Sequence, residues 1–154
     1  MPTFDSKFVE VCVFKRNTHS ALYLLLQRSF SEIRYPLMWQ IITATIEPGE
    51  SALQTAQREV REETQLAPLA LWRVPFVNSY FDANNDAIHF IPVFAAEVDE
   101  TSIPILSQEH QAFEWCALED SKKKLVWHGQ IRGLEIVDEF IVGKKDAERL
   151  SRIF

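Results

Sequence analysis

The chain has 154 residues, 47% of them hydrophobic and 25% charged, which fits one globular domain over 1–154 and excludes a disordered acidic tail. Its 22 acids outnumber 16 bases, and the net charge of −6 excludes a sequence-blind binder of nucleic-acid polymers, which needs a basic surface. An anionic small molecule is not excluded, because a bound cation inverts the local charge.

The first eight residues carry Asp5 and Lys7 and no apolar run, so they are not read as a signal peptide. No stretch approaches the ~20 apolar residues of a membrane span, and a cytoplasmic location is expected. Phe8 to Phe14 alternates and is β-branched, which predicts a strand. Asn17-Thr18-His19-Ser20 supplies turn chemistry. Ala21 to Leu26 predicts a more buried strand ending in Gln27-Arg28, and Ser29 to Pro36 a loop. Trp39 to Ile46 reads as a strand that Glu47-Pro48-Gly49-Glu50 breaks.

A helix follows. Ser51 can cap its start, Leu53, Ala56 and Val60 recur at spacings of three and four, and Pro68 stops it near Thr64 or Gln65. Leu69 to Phe81 and Ile88 to Val98 predict two strands joined through Asp82–Asp86 as a hairpin. Phe113 to Ala117 is a further strand, Leu118 to Leu125 a short helix and Gly129 to Val142 a longer one. The tail from Lys144 to Phe154 is charged, with Leu150, Ile153 and Phe154 at near-helical spacing, and docks on its own domain or on a second subunit. Strands and helices mix without strict alternation, so the class is α+β or mixed α/β. Cys12 and Cys116 sit among apolar residues and read as buried thiols. Only four glycines occur, and none belongs to a dinucleotide loop, a phosphate-cradling loop or a nucleophile elbow.

The helix carries a distinctive acid stripe. At about 100° per residue, Glu62 lies near −60° and Glu63 near +40° from Glu59, bordering the stripe of Ala52, Leu53, Ala56 and Val60. Glu50 stands just before the helix and can reach the same end of the stripe. Taken alone, the pattern suits a solvated face with an Arg58–Glu62 pair. A divalent-cation site is the other reading, since like charges at i+3 and i+4 repel and hard carboxylate oxygens are what Mg²⁺ requires.

Glu47-Pro48-Gly49-Glu50, seven residues, then Arg58-Glu59-Val60-Arg61-Glu62-Glu63 resembles the box of the Nudix hydrolases. Five charged positions match (Glu50, Arg58, Glu59, Glu62 and Glu63), a coincidence on the order of 10⁻⁶ at one site if each residue type is used at about 6–7%. The resemblance implies a Nudix-type α/β/α sandwich with a mixed sheet. It implies Mg²⁺, with Mn²⁺ as a substitute, held by Glu59, Glu62, Glu63 and Glu50. Arg58 would orient the helix acids, and a carbonyl near Thr43 or Ala44 would face the metal. Glu59, Glu62, Glu109 and Arg58 are the candidate catalytic residues. Two box glycines are replaced, by Ala44 and Gln65. Either replacement is strained if its backbone requires a positive φ.

Flanking residues suggest the substrate. Trp39-Gln40 before the box, Glu109-His110 and Trp115 after it, and the last helix resemble the bacterial dihydroneopterin triphosphate pyrophosphatase group, also described as dATP pyrophosphohydrolases. That likeness implies cleavage to the monophosphate and pyrophosphate. Clean-up of dNTPs, hydrolysis of dinucleoside polyphosphates and a non-catalytic ligand-binding module are the alternatives. Arg28 can meet phosphate, Trp39 and Gln40 can meet a base or pterin, and Tyr80 with Phe81 can wall the pocket or join the core. His110 reads as a packing or hydrogen-bonding residue, with a polar supporting role as the other reading. The expected partner is a small-molecule triphosphate, and the chain is a monomer or a homodimer.

Overall fold

The computed structural model describes residues 1–17 and 20–154; Thr18 and His19 of the expected turn lie outside the described residues. The strands are β1 (Thr3–Asp5), β2 (Phe8–Arg16), β3 (Ala21–Arg28), β4 (Trp39–Gln40), β5 (Ile42–Thr45), β6 (Ala70–Asp82), β7 (Ala87–Glu97) and β8 (His110–Cys116). The helices are α1 (Ala52–Thr64), α2 (Leu118–Lys124), α3 (His128–Ile136), which continues as a π-helical turn over Val137–Val142, and α4 (Asp146–Ser151).

The sheet is mixed. β7 runs parallel to both β1 and β2, while β2 pairs antiparallel with β3 and β5, β3 with β4 and β8, and β6 with β7. Strand alternation sorts side chains into two layers. Val9, Val11 and Val13 join Ala56 and Val60 on the α1 face. Cys12 and Phe14 join Leu134, Val137 and Ile141 on the α3 face. An α/β/α sandwich results, as expected, and both cysteines are free and buried.

Three details differ from the expected elements, and the tail takes one of its two expected positions. The short β1 has too little apolar content to show in the sequence, yet it pairs with β7. The predicted strand over Trp39–Ile46 divides at Ile41, because its first part pairs with β3 and its second with β2. β8 starts at His110 rather than Phe113, held by its pairing with β3 across a bulge at Gln27/Arg28. The tail docks on its own domain: Ile153 N–H donates to Leu71 O at 2.7 Å, and Leu71 N–H donates to Phe154 O at 3.0 Å. Among the described residues, no helix is long and apolar enough to cross a membrane.

Candidate active site

The turn before α1 sets the site. Pro48 and Gly49 occupy its centre, Glu50 N–H donates to Glu47 O at 3.0 Å, and Gly49 has φ +86°. That conformation suits glycine because no Cβ meets the backbone. Ser51 then caps the helix: Gln54 N–H donates to Ser51 Oγ at 3.2 Å, and Ser51 N–H donates to Gln54 Oε1 at 2.8 Å. Capping fixes the first turn and hence the rotation of every acid that follows.

Arg58 is the hub of those acids. Its Nε donates to Glu50 Oε1 at 2.8 Å, its Nη2 to Glu50 Oε2 at 3.0 Å, and its Nη1 to Glu59 Oε1 and to Glu62 Oε2, the latter at 3.0 Å. This fork holds the Glu50 carboxyl down to about 2, with Thr55 assisting by donating to Oε2 at 2.8 Å. Glu50, a candidate metal ligand, turns both oxygens to Arg58, and Thr55 also donates to Oε2. It anchors the arginine and does not line the cleft that the other acids share.

That open cleft is lined by Glu47, Arg58, Glu59, Glu62, Glu63, Ser107, Gln108 and Glu109. The loop carrying Glu109 is tied to the end of α1, where Ile105 N–H donates to Thr64 O at 2.9 Å and Ser107 N–H to Glu63 O at 3.3 Å. Glu63 is buried and Glu109 exposed. Burial raises the pKa of Glu63, and the nearby Glu59 and Glu109 carboxylates raise it further. Glu59 is raised chiefly by burial, against the pull of Arg58. One ligand atom each from Glu63, Glu109 and His110 falls within 4.8 Å of the others. Glu63 Oε2 and His110 Nδ1 are buried without a hydrogen-bond partner among the described residues. Two buried ligand atoms that face one another at 3.9 Å, too far apart for a hydrogen bond, fit a cation.

The four residues expected at the substrate divide into two pairs. Arg28 lies close enough for its charge to act on both Glu63 and His110, while its Nε donates to Arg34 O at 2.8 Å. Gln40 is buried, with its side-chain amide 3.0 Å from His110 Nε2, so it supports the site from behind. Trp39 does not line the acid cleft: it packs on the core under Lys124, whose Nζ lies 4.6 Å from the ring centroid. Tyr80 is also outside it, stacked on His89 at 4.8 Å between ring centroids. Phe81 beside it is exposed, so neither residue joins the core.

Ala44 has ordinary strand backbone, paired with Val9 and buried in the core, so the missing glycine costs nothing there. Gln65 does take the left-handed conformation at the end of α1, with φ 56°, and its N–H donates to Arg61 O at 2.8 Å.

Of two buried polar groups, sequence reasoning read His110 as a packing or hydrogen-bonding residue and missed Glu10. His110 is wholly enclosed, and burial lowers its pKa to about 4, with the Arg28 charge acting in the same direction. Glu10 sits on β2 among buried side chains, where Asn78 Nδ2 donates to it at 3.2 Å and Gln130 Nε2 at 3.4 Å. Burial pushes Glu10 up to about 7 against those hydrogen bonds. The available signal was a charged residue in inward register with Cys12 and Phe14.

The NUDIX domain family matches residues 7–135. A mouse bis(5'-nucleosyl)-tetraphosphatase [asymmetrical] is 33% identical over 109 residues, 70% of this chain and 71% of that one. A Myxococcus xanthus octanoyltransferase is 30% identical over 128 residues, 79% of this chain; the match spans only 33% of that protein's length. Among solved structures, a C. elegans Ap4A hydrolase binary complex superposes with a TM-score of 0.74 at 24% identity, over 90% of this chain and 99% of that one. The E. coli dihydroneopterin triphosphate pyrophosphohydrolase gives 0.69 at 21% identity, over 90% and 98%. These two likenesses show a shared fold.

Proposed function

The chain belongs to the Nudix family and is a Nudix hydrolase, and from that premise we propose that it cleaves a phosphoanhydride bond of a dinucleoside polyphosphate. The observation that carries the reaction is the acid cluster of α1, wired by Arg58 and facing Glu109 across one cleft. The substrate class rests on the relative named for that activity, which is one-third identical over about 70% of both chains.

Glu59, Glu63 and Glu109 would hold the divalent cation, with Glu62 at the solvent edge; Mg²⁺ is the expected ion and Mn²⁺ a substitute. Such an ion polarises phosphoryl oxygens and acidifies bound water. The chain's own part is positional. Arg58 fixes Glu59 and Glu62 against their mutual repulsion, and Glu50 fixes Arg58. Glu109 is the exposed carboxylate that can take a proton as water adds to phosphorus and the bridging P–O bond breaks. Arg28 stands beside the cluster, where it can neutralise departing phosphate. Two free, buried thiols suit a reducing compartment, which supports a cytoplasmic enzyme.

A second reading, hydrolysis of dihydroneopterin triphosphate, has one observation in its favour. Gln40 and His110, from the two segments that suggested that group, meet at 3.0 Å. Product analysis separates the readings. Supplied with Mg²⁺ and both substrates in turn, the enzyme should split a dinucleoside tetraphosphate into two nucleotides faster than it releases pyrophosphate from the pterin triphosphate. The reverse ranking by kcat/KM overturns the first reading in favour of the second.

A further inference from the structure

Resting on the hydrolase reading only for the existence of a cation site, we propose that His110 is a nitrogen ligand of that site through Nδ1, and that the centre therefore prefers Mn²⁺ or Co²⁺ to Mg²⁺. Three observations converge. The His110 side chain is fully buried, and its Nδ1 has no partner among the described residues. Glu63 Oε2, also buried and partnerless, faces it at 3.9 Å, too far for a hydrogen bond. Glu109 completes a group whose ligand atoms all lie within 4.8 Å of one another, a span that small shifts would close around one ion with bonds of about 2.1 Å.

The proton on the ring decides whether Nδ1 can ligate. The structure turns the amide nitrogen of Gln40 to His110 Nε2 at 3.0 Å, and ligation through Nδ1 requires that amide to be flipped. Amide oxygen and nitrogen are assigned from the hydrogen-bond network. With the amide oxygen turned to the ring, Nε2–H donates to Gln40 and Nδ1 keeps its lone pair. Metal-bound histidines are oriented in this way, by giving their other N–H to a fixed acceptor. With the amide nitrogen turned to the ring, Nδ1 would carry a proton toward Glu63 that reaches nothing, and both buried atoms would stay unsatisfied. A cation between them satisfies both. An imidazole ligand favours first-row transition ions, whereas Mg²⁺ favours oxygen ligands and retained water.

The test uses the full chain, freed of metal and loaded with Mn²⁺ alone. Pulsed electron paramagnetic resonance should show ¹⁴N coupling to Mn²⁺, replaced by ¹⁵N coupling when histidine is ¹⁵N-labelled. Calorimetric titration should give tighter binding of Mn²⁺ than of Mg²⁺, by about 10-fold or more, on the scale by which metal-site partners tune affinity. His110→Asn puts an amide near the Nδ1 position and His110→Gln one near Nε2. Both should lose the nitrogen coupling and shrink the advantage of Mn²⁺ over Mg²⁺. If a variant unfolds, the labelled wild-type spectrum decides alone. Bound Mn²⁺ without histidine coupling overturns the proposal and leaves the hydrolase reading intact. Failure of any divalent ion to bind overturns both.

Discussion

Glu62 and Glu10 show how little residue type says about role when register is ignored. Glu62 is exposed and pairs with Arg58 at 3.0 Å. Replacing Glu62 with Gln should change stability of the metal-free protein by no more than about 0.5 kcal/mol, the worth of an exposed i,i+4 pair. Turnover should fall about 10²-fold or more if the side chain stabilises charge in the transition state. Thermal unfolding without metal and kcat with saturating Mg²⁺ check the two halves; early unfolding with normal kcat makes Glu62 a structural residue. Glu10 is the opposite case, a carboxyl enclosed between β2, Asn78 and Gln130. Its pKa is raised from 4.5 to about 7 by burial, so the folded state holds a proton that the unfolded state releases. The favourable contribution is present below about pH 4.5 and is lost as pH rises toward 7. Glu10→Gln should therefore stabilise the fold above pH 7, by on the order of 2 kcal/mol, and flatten the pH dependence between those limits. Denaturant unfolding across pH 5–8 measures it, and a destabilised, equally pH-sensitive variant would show that the carboxyl's hydrogen bonds outweigh its desolvation.

Element boundaries were legible wherever local chemistry marks them. Ser51 and Pro48-Gly49 announced the start of α1, and the structure contains both the cap and the turn. The other end was marked by a question, because Gln65 stands where a glycine is usual. There the helix does require φ 56°. Gln65→Gly should thus stabilise the protein by about 0.5–1 kcal/mol, less than the full left-handed penalty because glycine gains freedom when unfolded. A fall in the denaturation midpoint would mean that the glutamine side chain contributes more than its backbone costs. What the sequence hid were features that depend on distant partners. His110-Gln111-Ala112 has no apolar alternation, yet pairing with β3 makes it strand. Gly129 has no turn to explain it, but its missing Cβ leaves room for Asn78, whose Oδ1 would lie 1.9 Å away. Gly129→Ala must push α3 or Asn78 aside, and a loss of about 1–3 kcal/mol is expected from such overpacking. Wild-type stability in Gly129→Ala would mean that the contact relaxes freely.

Across the whole molecule, the box and the periodicity of its flanks were enough to foresee the α/β/α layers, because a one-residue spacing error would have scattered the acids and the apolar stripe alike. The arrangement behind the box was not foreseeable: which of four glutamates face the cleft depends on Arg58, and Arg58 depends on Glu50. Trp39 was assigned to substrate from a resemblance and Tyr80 from its place at the end of a hairpin strand, and the sheet sets them beside Lys124 and His89. A chain of net charge −6 whose buried α1 acids also raise one another's pKa values has concentrated negative charge where the proposed polyphosphate would bind. The central claim is that a divalent cation reconciles the two, and it is tested most directly by turnover of a dinucleoside tetraphosphate by the chelator-treated enzyme before and after Mg²⁺ is restored, with the products separated. The account predicts no turnover after chelation and, on restoring Mg²⁺, recovery with two nucleotides as products; undiminished hydrolysis by the metal-free enzyme would contradict it.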